Sequence, residues 1–167
     1  MTARRIELAK SQHPFAFIGG CSDSRVPPEI VFDQGLSDLF VCRVAGNVIN
    51  DESLLSIEYA VDHLVVSLIV VLGHQRCAAV RAAKEIVASK GKAAGHAQSL
   101  VTAITPAVEA TAKDDLDATI KANVQHVVDA LRSATPILKP KVDADELKVV
   151  GATYSLDTGF VSFLDEK

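Results

Sequence analysis

The stretch Val65–Gly73, VVSLIVVLG, constrains this chain more than any other feature of its sequence. It has the length of a strand, it is rich in β-branched side chains, and it does not alternate with polar residues. A strand without a polar face is covered on both sides, which is the condition of a parallel sheet inside an α/β domain. Four shorter runs share this character: Phe15–Gly20, Leu39–Val44, Leu147–Tyr154 and Phe160–Leu164. Asp157-Thr158-Gly159 separates the last two and suits a hairpin. Between the runs lie helical spacings: Leu54, Ile57, Val61 and Leu64; Val80, Ala83 and Val87; Ile120, Val124, Val127 and Leu131. Leu100, Ile104 and Val108 form a further helical set, which Pro106 should kink or split. Gly91–Gly95 and Pro136–Asp145 read as loops. Strands alternating with helices predict a single α/β domain over residues 1–167. Its mainly parallel sheet, of order about 2-1-3-4-5 with the last strand antiparallel, would be flanked by α-helices.

Composition narrows the partners. Lys plus Arg number 17 against 21 Asp plus Glu, for a net charge of -4, and Trp is absent. Such a surface is a poor general binder of phosphate backbones and offers few stacking platforms, so nucleic acid is not expected as a partner. The longest apolar run, Leu64–Leu72, falls short of the roughly 20 residues a bilayer span needs. Met1–Gln12 is charged and has no apolar signal core, so the expectation is a cytoplasmic protein that makes no membrane contact. Three cysteines, at 21, 42 and 77, suit metal binding, catalysis or burial better than a disulfide framework. The apolar content, 49%, exceeds what one small domain readily buries and points to assembly.

The chemistry collects at two strand ends. The first strand runs through Gly19-Gly20 into Cys21-Ser22-Asp23-Ser24-Arg25, and the third ends at Gly73 and runs into His74-Gln75-Arg76-Cys77 before a helix. In open α/β sheets the ligand crevice lies beyond the carboxyl ends of strands at the switch of winding. In a 2-1-3-4 order, strands one and three flank that switch, about 4.8 Å apart. Cys21, His74 and Cys77 would then meet. Two thiolates and an imidazole suit Zn²⁺, and three protein ligands with one position open is the pattern of a catalytic zinc. Asp23 could accept a hydrogen bond from metal-activated solvent while Arg25 holds it ionised. Asp23 could instead ligate the metal and shut the site. Cys42 reads as core, and His13, His63, His96 and His126 have no partner pattern.

These residues resemble the β-class carbonic anhydrases. The segments CSDSRVPPEIVF, DLFVCRVAGN, SIEYAVDHL and VVLGHQRCAAV fall in that family's order and spacing, and the resemblance runs from about Ile6 to the end of the chain. It implies one zinc per subunit on Cys21, His74 and Cys77, and Asp23 and Arg25 as a catalytic dyad. The reaction implied is reversible hydration of carbon dioxide to bicarbonate and a proton through zinc-bound hydroxide. It further implies a substrate-binding set of Gln12, Phe40, Ala45, Tyr59, Gly73 and Ala78. Gln12 would hydrogen-bond the substrate. Phe40, Ala45 and Tyr59 would line an apolar pocket, some of them facing the partner subunit's zinc in a homodimer or dimer of dimers. Ala78 would offer its backbone N–H where the family usually has glycine. Family members with a closed, bicarbonate-inhibited state carry Trp where this chain has Ile18, which implies an open site here. The family's N-terminal helical arm is expected to be lacking.

Two other functions fit the same residues. One is a related zinc hydrolase acting on carbonyl sulfide or carbon disulfide. The other is an inactive, zinc-stabilised scaffold protein, for which the Asp23-Arg25 pair would be superfluous.

Overall fold

The computed structural model describes residues 2–164. In it the apolar runs become strands β1 (Ala16–Gly20), β2 (Leu39–Arg43), β3 (Leu68–His74), β4 (Lys148–Tyr154) and β5 (Val161–Phe163). They form one sheet of order β2-β1-β3-β4-β5. The first three pairings are parallel and β4–β5 is antiparallel, as the sequence predicts. The register sets Gly20, the last residue of β1, beside Leu72 on one side and Arg43 on the other, so β3 runs two residues further, to His74.

The helices are α1 (Thr2–Glu7), α2 (Pro28–Val31), α3 (Asp51–His63), α4 (Ala78–Ala88), α5 (Ala97–Ala110), α6 (Leu116–Ser133) and α7 (Leu138–Asp143). Asn50 caps α3 by accepting from the Ser53 amide at 3.0 Å, and Asp115 caps α6 through the Ala118 amide at 2.8 Å. One face of the sheet, with Phe17, Ile69, Val71 and Val149, packs against Ile57 and Val61 of α3, Val124, Val128 and Leu131 of α6, and Leu138 of α7. The opposite face, with Ile18, Val70, Leu72 and Val150, is closed by Val26 and by half-buried Val31, Phe32 and Leu156, with only the short α2 among the described helices. The two faces are therefore covered unequally. Edge strand β2 stays half-buried along its whole length.

Two glycines let α6 lie close against the sheet. A Cβ on Gly73 would stand 2.6 Å from Val124, and one on Gly151 would stand 2.7 Å from the same side chain. This close seating fixes where the middle of α6 points.

The structure refines the sequence reading in three places. Pro136–Asp145 is not all loop, because Leu138–Asp143 is helical. Fully buried Leu138 anchors it, Lys139 pairs with Asp143 at 2.6 Å, and Pro140 lies in the first turn, where no intrahelical amide is needed. Pro106 does not split α5. Pro106 and Thr102 both lie on the exposed side, so the Thr102 carbonyl left without a donor faces water. Cys42 is half-buried, its thiol donating to Ser53 Oγ at 3.3 Å. No helix among the described residues is long and apolar enough to cross a membrane.

Candidate metal centre

β1 delivers Cys21 immediately past Gly20, and β3 delivers His74 as its last residue. The chain then turns through Gln75 and Arg76, whose φ is 55°, and reaches Cys77 at the N-terminal cap of α4. Left-handed backbone at a bulky residue needs outside support. Here the Gln75 amide donates to the Tyr154 carbonyl at 2.9 Å, and the Arg76 guanidinium forms a two-pronged pair with Asp157 at 2.8 and 3.0 Å. The hairpin between β4 and β5 thus braces the turn.

Cys21, His74 and Cys77 are all buried, and their donor atoms lie within 4.8 Å of one another. The two sulfurs are 4.0 Å apart, against ~3.8 Å expected for two thiolates on one tetrahedral Zn²⁺ with Zn–S near 2.3 Å. His74 Nδ1 sits 3.0 Å from the Gln75 carbonyl, a contact that makes Nδ1 the donor and turns the Nε2 lone pair toward the sulfurs. Nε2 is buried and makes no hydrogen bond. A fully buried imidazole nitrogen that makes no hydrogen bond and lies beside two sulfurs is a donor suited to a cation. The donor set therefore fits zinc.

The two thiols titrate as a pair. Cys77 bonding to its sulfur, helped by His74 and by the amides of Asp23 and Gly46, lowers the Cys21 pKa to about 4 against the opposing effect of burial. Cys77 is driven up by the same bond and by burial, so one proton is shared between two sulfurs. The amides of Ala79 and Val80 favour the Cys77 thiolate without forming a capping bond. Burial opposes charge on His74, but the Cys21 sulfur, the Gln75 carbonyl and Asp23 outweigh it and raise its pKa.

Asp23 stands beside the trio, its Oδ2 3.8 Å from His74 Nε2. Arg25 grips it with three N–H groups: the backbone amide and Nε to Oδ1 at 3.0 and 2.9 Å, and Nη2 to Oδ2 at 2.7 Å. This grip holds the carboxyl well below the ordinary carboxylate range. Arg43, which the sequence reading did not single out, donates to the carbonyls of Cys21 at 2.9 Å and Asp23 at 2.5 Å. Its position just before the Ala45-Gly46-Asn47 turn was the available signal.

The predicted substrate positions divide. Half-buried Ala45 opens a 3₁₀ turn, Ala45–Asn47, whose Gly46 amide reaches Cys21 Sγ at 3.3 Å. Exposed Ala78 is the first residue of α4, next to Cys77. Gly73 precedes His74, with Val124 and Ile120 packed against it. Gln12, Phe40 and Tyr59 are not brought to the metal ligands of their own chain. Gln12 is exposed. Phe40 pairs with Phe17, four residues short of Cys21, which is about 13 Å along the strand. Tyr59, 45% exposed, lies 6.2 Å from the Phe40 ring and 5.1 Å from His63. The other four histidines are exposed.

A sequence model of the family described as carbonic anhydrase matches residues 16–161. The chain belongs to the carbonic anhydrase family. It is 42% identical over 158 residues to carbonic anhydrase 2 of Mycobacterium tuberculosis, covering 93% of this chain and 76% of that protein. It is 41% identical over 161 residues to the carbonic anhydrase of Mycolicibacterium smegmatis, covering 95% and 78%. The fold is that of the β class. A structure from work on two tetrameric β-carbonic anhydrases of Sordaria macrospora superposes with a TM-score of 0.85 at 25% identity, covering 96% of this chain and 85% of that one. The Coccomyxa β-carbonic anhydrase in complex with acetazolamide gives 0.85 at 28% identity, covering 99% and 78%.

Proposed function

We propose that this family member is a zinc enzyme that interconverts carbon dioxide and water with bicarbonate and a proton. The observation that carries the reading is the buried Cys21-His74-Cys77 trio with its unbonded Nε2, set beside a carboxylate that Arg25 keeps ionised. One Zn²⁺ per subunit would be held by Cys21 Sγ, Cys77 Sγ and His74 Nε2. Bound there, the metal supplies Lewis-acid activation of water at neutral pH.

The chain's own groups do the rest. Asp23 has no proton to give, so it accepts a hydrogen bond from the attacking solvent molecule and aims its lone pair at the electrophilic carbon. Arg25 holds Asp23 in that state and withholds it from the metal. Ala78 N–H, at the start of α4 where amides have no intrahelical partner, is free to bond a substrate oxygen. Ala45 and Gly73 border the crevice. Phe40 and Tyr59 complete an apolar pocket from a neighbouring subunit, in a homodimer or dimer of dimers, and Gln12 hydrogen-bonds the substrate. The half-buried β2 edge and the thinly covered sheet face support that assembly.

Zinc content and stopped-flow carbon dioxide hydration test the reading together. One zinc per chain, with hydration lost to a chelator and restored by zinc, is the expected result. Hydration that survives zinc removal would overturn it.

A further inference from the structure

Residue 123 breaks the apolar stripe of α6. Ile120, Val124, Val127 and Leu131 are buried, and among them lies an equally buried asparagine, 0% exposed. Asn123 Nδ2 donates to the Gly46 carbonyl at 2.8 Å, across 77 residues of sequence. Its Oδ1 has no hydrogen-bond partner. For packing alone a polar group with one unpaired oxygen is worse than an aliphatic side chain in the same volume.

What Asn123 reaches explains its presence. Gly46 is held at both ends: its carbonyl takes the Asn123 amide, and its N–H points at Cys21 Sγ at 3.3 Å. The backbone there is left-handed, φ 65°, and a Cβ would stand 2.9 Å from Ile104 and 3.3 Å from Ala79. The turn has little else to fix it from within. The Asn47 amide bonds the Val44 carbonyl at 2.9 Å, but the buried Asn47 Nδ2 has no partner. The seating of α6 on Gly73 and Gly151 sets the position of Asn123 in turn.

We propose that Asn123 is a positioning residue of the metal centre, holding the Ala45–Asn47 turn so that Gly46 N–H bonds the Cys21 thiolate. An N–H bond to a metal thiolate stabilises its lone pairs, and outer partners of this kind tune metal retention. The inference rests on the metal reading above.

The test loads the full chain with Co²⁺ and records the sulfur-to-cobalt charge-transfer band and the rate of metal loss to a chelator. Three variants are compared: Asn123→Ala, Asn123→Asp, which keeps the volume but cannot donate when ionised, and Val128→Ala, a buried α6 residue remote from Gly46. The two Asn123 variants should shift the band to lower energy and speed metal loss on the order of tenfold, while Val128→Ala leaves both unchanged. Asn123 variants indistinguishable from Val128→Ala would overturn the proposal. Loss of the fold in both Asn123 variants, with Val128→Ala folded, would make Asn123 a scaffold residue and overturn it equally. A wild-type chain that takes up no cobalt would instead overturn the metal reading.

Discussion

The crevice at the ends of β1 and β3 and the aromatic cluster beside β2 are built in opposite ways. In the crevice the groups are tied to one another within one chain, apart from His74 Nε2. Arg25 grips Asp23, Arg43 clamps the carbonyls on either side of Ser22, the Gln75 carbonyl orients His74, and Gly46 bonds Cys21. In the cluster, the rings of half-buried Phe40 and exposed Tyr59 meet at a tilt, and Gln12 is likewise exposed. The difference teaches that one protomer assembles all three candidate metal ligands but leaves the proposed pocket residues Phe40 and Tyr59 apart from them. The crevice should therefore fail through its own residues, and the cluster through its neighbours.

The largest effect expected is that of Cys21→Ser. Removing one of three ligands should abolish zinc retention and hydration together, as metal analysis and stopped-flow would show. Asp23→Asn comes next and separates chemistry from metal. It should keep one zinc and lose turnover on the order of 10²-fold or more, because a neutral amide no longer offers a pure acceptor. Unchanged turnover would remove Asp23 from the mechanism.

The cluster is tested by mixing. Tyr59→Ala should bind zinc yet hydrate carbon dioxide slowly, and Cys21→Ser should be inactive. Subunits of the two exchanged into mixed assemblies should recover part of the activity, since each supplies what the other lacks. No recovery after demonstrated exchange would place the cluster outside the active site.

A smaller effect concerns the metal-free thiols. Thiolate absorbance from Cys21 should persist as pH falls and disappear near pH 4, and Cys21→Ser should remove it. The native thiol is depressed below its unfolded value, so its contribution to metal-free stability grows from about pH 4 up to roughly 8.5, the ordinary thiol pKa. Above that, raised Cys77 reverses the gain. Absorbance that titrates only near the ordinary thiol value would mean that Cys77 does not support Cys21.

The contrast between the regions also explains what the sequence reveals. Apolar runs and their order suffice for the sheet, because a continuous run such as Val65–Gly73 has few other uses. The trio and Asp23-Arg25 are legible because they sit at strand ends, where spacing maps directly onto geometry. The helix at Leu138–Asp143 is hidden behind two prolines, since propensity does not register how firmly Leu138 is buried. Arg43, Gly46 and Asn123 act through backbone groups, and a pattern of side-chain types does not show which carbonyl or amide will be held. Asn123 leaves a trace as a polar residue in an apolar stripe, and Arg43 one through its place just before the Ala45-Gly46-Asn47 turn.

The central claim is that Cys21, His74 and Cys77 hold one zinc with a position left for solvent. X-ray absorption at the zinc edge of the loaded protein, read beside the Asp23→Asn variant, tests it most directly. The account predicts two sulfurs, one imidazole nitrogen and one exchangeable oxygen, unchanged in the variant. An oxygen that disappears in Asp23→Asn, or a shell without two sulfurs, would contradict it.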